Sequence, residues 1–130
     1  CIRVSAITGL AELLQACKKC SDRGYANAID GRRISVDKGH KFLNYLLQGG
    51  AAVIAKRWMV RSHVHIDRMN IDCHQLAFIH DELQFECDPK QVEDLKSILE
   101  LSAVEAGEYY NMRIPIAAEA KDGLTWADTH

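Results

Sequence analysis

No apolar run in this 130-residue chain approaches the roughly 20 residues that a helix needs to cross a bilayer, which excludes a helical membrane span. Internal repeats, low-complexity stretches and Pro/Gly/Ser-rich linkers are missing too, and proline occurs only twice. One domain with a real core is therefore expected at this length, and two ordinary domains are not. The hydrophobic share of 48% and charged share of 26% are those of a globular protein. The first residue is Cys1 rather than Met, and no charged-then-apolar leader follows it. The expectation is a processed or partial chain, not a nascent secreted protein.

Disulfide density is also lacking. The five cysteines, at positions 1, 17, 20, 73 and 87, form an odd and scattered set. That argues against a disulfide framework and for a reducing, cytoplasmic compartment. Cys17 and Cys20 have CxxC spacing, and Cys73-His74 would have to complete a zinc site, but there is no second CxxC. Cys17 continues the stripe of Leu10, Leu13 and Leu14 at helical spacing, so a buried thiol is the simpler account.

What is present is concentrated in residues 76–87, LAFIHDELQFEC, where Asp81 and Glu82 stand between two short apolar runs. The runs read as strands and the acids as their connecting turn. Adjacent like charges beside buried strands are unfavourable unless something positive faces them, and a divalent metal is a ready partner. Net charge is -2, but it is divided unevenly. Residues 1–80 hold 12 Lys/Arg and 6 Asp/Glu, whereas residues 81–130 hold 4 and 12. A basic half of this kind can lie along a phosphate backbone.

The apolar spacing predicts a helix from about Thr8, as N-cap, to near Asp22, closed by Gly24. Residues 25–29 and 32–36 flank Asp30-Gly31 and read as a β-hairpin. A long helix follows from around Gly39 to the mid-60s, burying Phe42, Leu43, Leu46, Leu47, Ile54, Trp58 and Met59. Gly49 and Gly50 lie inside it at a cost of roughly 1 kcal/mol each relative to Ala. Such glycines imply close approach of something bulky: another helix, or a nucleic-acid groove. After the hairpin at 74–87, Asp88-Pro89 opens a helix striped by Val92, Leu95, Ile98 and Leu99 that ends near Gly107. Residues 112–120 read as an extended strand with Pro115 at an edge or start, and residues 121–123 as a turn. The fold class is α+β, antiparallel hairpins packed with helices.

His80-Asp81-Glu82 at a strand–turn–strand resembles the third motif of family A DNA polymerases, the bacterial DNA polymerase I and short-tailed-phage group. Three further segments arrive in that family's order. Residues 24–33 resemble the return from fingers to palm, and residues 44–52, NYLLQGGAA, the helix that lies against primer–template. Ile114-Pro115-Ile116 and Trp126 resemble the final palm strand and its tail. Gly50 and Val53 stand where the bacterial form has Thr and Asp, which moves the likeness toward the phage branch. The family's first catalytic motif and its nucleotide-gripping fingers helix have no counterpart in these residues, nor do a thumb or a proofreading domain.

The resemblance implies the C-terminal palm portion of a DNA-directed DNA polymerase. It divides the chain into a fingers-to-palm return at 1–40, a primer–template helix at 41–66, a catalytic hairpin at 74–87, and a helix and strand at 88–130. In two-metal phosphoryl transfer, Mg²⁺ ions roughly 3.5–4 Å apart serve the primer 3′-hydroxyl and the leaving pyrophosphate. Asp81 is then one bridging ligand, Glu82 an outer ligand or a solvated acid, and the partner Asp comes from an N-terminal remainder. His80 faces the primer terminus. Asn44 and Gln48, four apart on one helix face, reach minor-groove acceptors that check pair geometry without reading sequence. Arg32, Arg33, Lys38 and Lys41 are candidates for phosphate contacts. The implied partners are primer–template DNA, deoxynucleoside triphosphates and the rest of the polymerase, in the host cytoplasm if the source is a phage. An open sheet edge would offer a route to self-association. The alternatives are a non-catalytic primer–template binding module and a small zinc protein.

Overall fold

The computed structural model describes residues 8–36 and 41–129. Lys38 and the expected helix start at Gly39 lie outside the described residues. The chain divides into two compact units between Val53 and Ile54.

In the first unit, α1 spans Leu10–Ser21. Its cap is Gly9 rather than Thr8: Gly9 has φ 84 and accepts the Leu13 N–H at 3.0 Å through its carbonyl. That left-handed backbone favours glycine over a hydroxyl-bearing cap. Glu12 in the first turn and Lys18 and Lys19 in the last suit the helix dipole. Strands β1 (Tyr25–Asn27) and β2 (Arg33–Ser35) pair antiparallel, with Ala26 opposite Ile34. The loop is longer than a two-residue Asp30-Gly31 turn, and Ile29 belongs to it instead of to the strand. The Ala28 N–H donates to the Arg32 carbonyl at 2.8 Å, the Gly31 N–H donates to the Ala28 carbonyl at 2.9 Å, and Gly31 has φ 84. This is the three-residue loop in which a turn is followed by a left-handed glycine.

Helix α2 spans Phe42–Met69, and its first part closes the first unit. Cys17, Ala26, Val36 and Phe42 form the core there, flanked by Cys20, Leu43, Tyr45 and Leu46. Burial of Cys17 agrees with its place on the apolar stripe. The expected burial of Leu47 is corrected, since it is 60% exposed. It shares a stripe with Asn44, Gln48 and Ala51, which are all exposed. The glycines also differ from the helix-packing expectation: a Cβ on Gly49 would come within 2.6 Å of Ile34 Cδ1, so what sits against it is strand β2. A Cβ on Gly50 would meet only Ile29 Cγ2, at 3.9 Å.

The second unit begins within α2, whose C-terminus is a Schellman motif built on Asn70 at φ 53. The Asn70 N–H donates to the Asp67 carbonyl at 3.3 Å and the Ile71 N–H to the Ile66 carbonyl at 3.1 Å. Ile66 and Ile71 then join the core with Leu95 and Ile98, against Cys73, Phe85, Cys87 and Leu99. Strands β3 (Cys73–Ile79) and β4 (Glu82–Cys87) form the second hairpin. Asp88 caps the next segment as expected, its carboxylate accepting the Lys90 N–H at 2.9 Å with Pro89 at the first position. One 3₁₀ turn leads into α3, Val92–Tyr109.

Helix α3 runs past Gly107, which is buried inside it and is not its end. A Cβ there would fall 2.7 Å from Ile116 Cγ1 and 3.3 Å from the Ile116 backbone nitrogen, so the glycine serves contact with the returning chain. The stop is instead Asn111 at φ 52, again a Schellman motif, with the Met112 N–H donating to the Gly107 carbonyl at 3.1 Å. The expected strand at 112–120 does not form among the described residues. A strand needs a ladder partner, and this segment is held by side chains of α3 in its place. The Ala120 N–H donates to Glu100 Oε1 at 3.2 Å, and Lys96 Nζ donates to Asp122 at 2.9 Å.

Candidate functional site

Ile79 pairs with Glu82, so the β3–β4 loop is two residues, His80 and Asp81. The acids are not both in the turn: Asp81 is in it and exposed, whereas Glu82 is the first residue of β4 and half-buried. His80 takes φ 56 while Asp81 does not have a positive φ. A positive φ at the first loop position alone is the type II′ pattern, where glycine is the usual residue. An imidazole-bearing residue there is held in sparsely populated backbone space, a condition that concentrates at functional sites.

The register steps at Leu76, between Gln75↔Phe85 and Ala77↔Gln84. This bulge leaves Leu76 62% exposed and switches which β3 residues share the core face with Phe85. Along the uninterrupted β4, Glu82 shares the face of Gln84 and Glu86, opposite Phe85 and Cys87. Its carboxylate accepts a hydrogen bond from Gln84 Nε2. Gln75 is tied from the other side, its Oε1 2.8 Å from His63 Nε2 on α2.

Among the described residues, no group of three or more His, Cys, Asp or Glu is arranged to hold a metal ion. Asp81 and Glu82 are hard oxygen donors of the kind Mg²⁺ prefers, so they suit part of a divalent site and fall short of a whole one. Asn44 and Gln48 are exposed on the first-unit part of α2, as is Lys41 just before it. The expected phosphate contacts differ in how they are engaged. Arg32 Nε donates to Asp30 Oδ2 at 2.6 Å, within the first hairpin's loop. Burial opposes the Asp30 charge, but the Arg32 backbone and guanidinium bonds outweigh it and hold the carboxyl below its usual range. Arg33 lies over the Tyr25 ring, its guanidinium carbon 4.6 Å from the centroid.

Sequence reasoning missed a second polar cluster. Glu105 of α3 accepts from Arg61 Nη2 at 2.7 Å and is 2.9 Å from His65 Nε2. The His65 hydrogen bond, helped by Arg61 and opposed by burial, pulls the Glu105 carboxyl below its ordinary value. Nearby, Trp58 Nε1 donates to the Leu99 carbonyl at 2.7 Å. The four-residue spacing of Arg61 and His65 marks a shared helix face, but nothing local pointed to an acid some 40 residues later.

The model of DNA polymerase family A matches residues 9–128. The DNA-directed DNA polymerase of Escherichia phage Phieco32 is 34% identical over 128 residues, covering 93% of this chain and 21% of that protein. The corresponding enzyme of Enterobacteria phage T3 is 31% identical over 118 residues, covering 83% and 16%. The chain thus spans about a fifth of the length of these relatives. Among solved structures, the POL domain of Pol1 from M. smegmatis, in complex with DNA primer-template and dNTP, superposes with a TM-score of 0.73. That likeness covers 83% of this chain and 21% of the other at 24% identity, and it supports the α+β fold. With a strand–turn–strand bearing His80, Asp81 and Glu82 inside the matched region, the chain belongs to DNA polymerase family A.

Proposed function

We propose that the chain is the C-terminal palm portion of a DNA-directed DNA polymerase, which acts in template-directed nucleotidyl transfer together with an N-terminal part. The observation that carries this reading is the two-residue His80-Asp81 turn, held at an unusual backbone angle and followed at once by Glu82 in a paired strand. In this reading residues 1–40 are the return from the fingers, 41–66 the primer–template helix, 74–87 the catalytic hairpin and 88–130 the closing helix and tail.

Asp81 and Glu82 would hold Mg²⁺ jointly with a carboxylate from outside these residues. Bound there, the cation supplies charge neutralisation at the reacting phosphate and favours ionisation of the primer 3′-hydroxyl. Asp81, exposed at the loop tip, offers both carboxylate oxygens. Glu82 has one direction fixed by Gln84, which orients its carboxylate. His80 places an imidazole donor at the same tip, suited to a hydrogen bond near the primer end. Asn44 and Gln48 present amide groups on one exposed helix face, suited to minor-groove acceptors. Arg33 and Lys41 are exposed cations for phosphates, and Arg32 must exchange Asp30 to join them.

The test is reconstitution. The 130 residues alone are expected not to extend a primer, and to do so when an N-terminal fragment carrying the other catalytic Asp is added. Robust extension by the chain alone would overturn the divided metal site. A second reading is a non-catalytic primer–template binding module, which the exposed cations Arg33 and Lys41 and the exposed helix face of Asn44 and Gln48 would serve equally well. Synthesis in the reconstituted pair that disappears with Asp81→Asn eliminates that alternative.

A further inference from the structure

Cys73 and Cys87 are direct partners in the β3–β4 register, at the end of the hairpin away from its turn. Both are free thiols, half-buried against the same core of Ile66, Ile71, Leu95 and Ile98. In an antiparallel ladder, pairs that exchange hydrogen bonds alternate with closer pairs that do not. The Asp88 N–H donates to the Asp72 carbonyl at 3.2 Å, which makes 72/88 the hydrogen-bonded pair. Cys73/Cys87, one step along, is therefore a non-hydrogen-bonded pair, with Cα atoms about 4.5 Å apart and side chains on one face. A disulfide accepts Cα separations from about 4.4 Å upward, so this pair can close without moving the strands apart.

We propose that Cys73 and Cys87 form a reversible cross-strand disulfide that locks the open end of the hairpin when small-molecule disulfides accumulate. One thiolate attacks the small disulfide, forming a mixed disulfide and releasing one small thiol. The second cysteine then attacks the protein-bound sulfur, the Cys73–Cys87 bond forms, and the second small thiol leaves. The two cysteines lose two electrons and two protons, and the small disulfide gains them. Burial pushes both thiols up; neighbouring Cys87, Asp72 and Asp67 add to this at Cys73, and Asp88 and Asp122 at Cys87. Thiolate is accordingly scarce at neutral pH, and the second step depends on proximity rather than on an activated nucleophile. In a reducing compartment the pair rests as the dithiol. The inference uses only the second unit and does not depend on the polymerase reading.

The experiment exposes the full chain to mixtures of oxidised and reduced glutathione, then alkylates, digests and maps the peptides by mass spectrometry. The expected result is one intramolecular link joining the Cys73 and Cys87 peptides, reversed by dithiothreitol, with both thiols lost to alkylation together. Cys87→Ser should leave Cys73 carrying glutathione that no longer resolves; if that variant does not fold, the peptide map of the unaltered chain decides. Backbone amide exchange in residues 73–87 should slow by about tenfold or more in the linked form, because opening the pair from its free end is blocked. Persistent glutathione on both cysteines, linkage of either to another cysteine, or a link that leaves exchange unchanged would overturn the proposal.

Discussion

At the residue scale, His80 combines a functional candidate with a backbone cost. A non-glycine residue at φ 56 is disfavoured by roughly 1–2 kcal/mol, and glycine removes that penalty. His80→Gly is expected to stabilise the chain by about 1 kcal/mol in urea denaturation, net of the extra chain entropy. The same substitution should lower primer extension by the reconstituted polymerase, because the imidazole is gone. Asp81→Asn should leave stability within about 0.5 kcal/mol, as befits an exposed loop residue. It should still cut primer extension by on the order of 10³-fold if Asp81 holds the proposed metal, through the loss of several kcal/mol of charge stabilisation there. Single-turnover kinetics beside a primer–template binding assay would separate the two effects. Of this site, the sequence disclosed the residue types and their place at a strand–turn–strand. It did not disclose that Glu82 starts the strand, because that depends on which residues pair across the loop.

The glycines are best compared at the scale of elements. Gly50 has room for a methyl group, so Gly50→Ala should stabilise α2 by about 1 kcal/mol, the helix propensity difference. Gly107 has none, because the Ile116 side chain and backbone lie against it. Gly107→Ala should therefore destabilise by roughly 1–3 kcal/mol despite its better propensity. Thermal or urea melts of the two variants should shift in opposite directions. The sequence read Gly50 as interior to a helix and Gly107 as near a helix end, and only their tertiary neighbours show what each one meets. Helices α1, α2 and α3 were legible because their apolar residues recur at helical spacing, and both hairpins because turn residues separate short strand-like runs. The strand expected near Pro115 failed for the complementary reason: extended composition does not supply a ladder partner, and side chains of α3 hold that segment instead.

For the molecule as a whole, charge sets two expectations. Glu105 has its carboxyl pulled down by His65 and Arg61, so its stabilising contribution is present above the unfolded carboxyl's ordinary range and is lost as pH falls through the folded value. Glu105→Gln should cost on the order of 1 kcal/mol at neutral pH and progressively less as pH falls below the ordinary carboxyl range, as read from urea midpoints across acidic pH. The uneven charge distribution bears on DNA. Primer–template binding by the reconstituted protein should weaken steeply with salt, and Arg33→Gln should reduce the log–log slope by about 1.

The sequence by itself determined the helical segments, the two strand–turn–strand hairpins and the family, since each is written in residues close together in the chain. The tertiary structure alone decided what lies far apart in sequence and adjacent in space. It set Ile116 against Gly107, joined Arg61 and His65 to Glu105, and laid Cys73 opposite Cys87. Periodicity and turn chemistry report a residue's local conformation, whereas the identity of its neighbours depends on how strands register and helices pack, which no local pattern specifies.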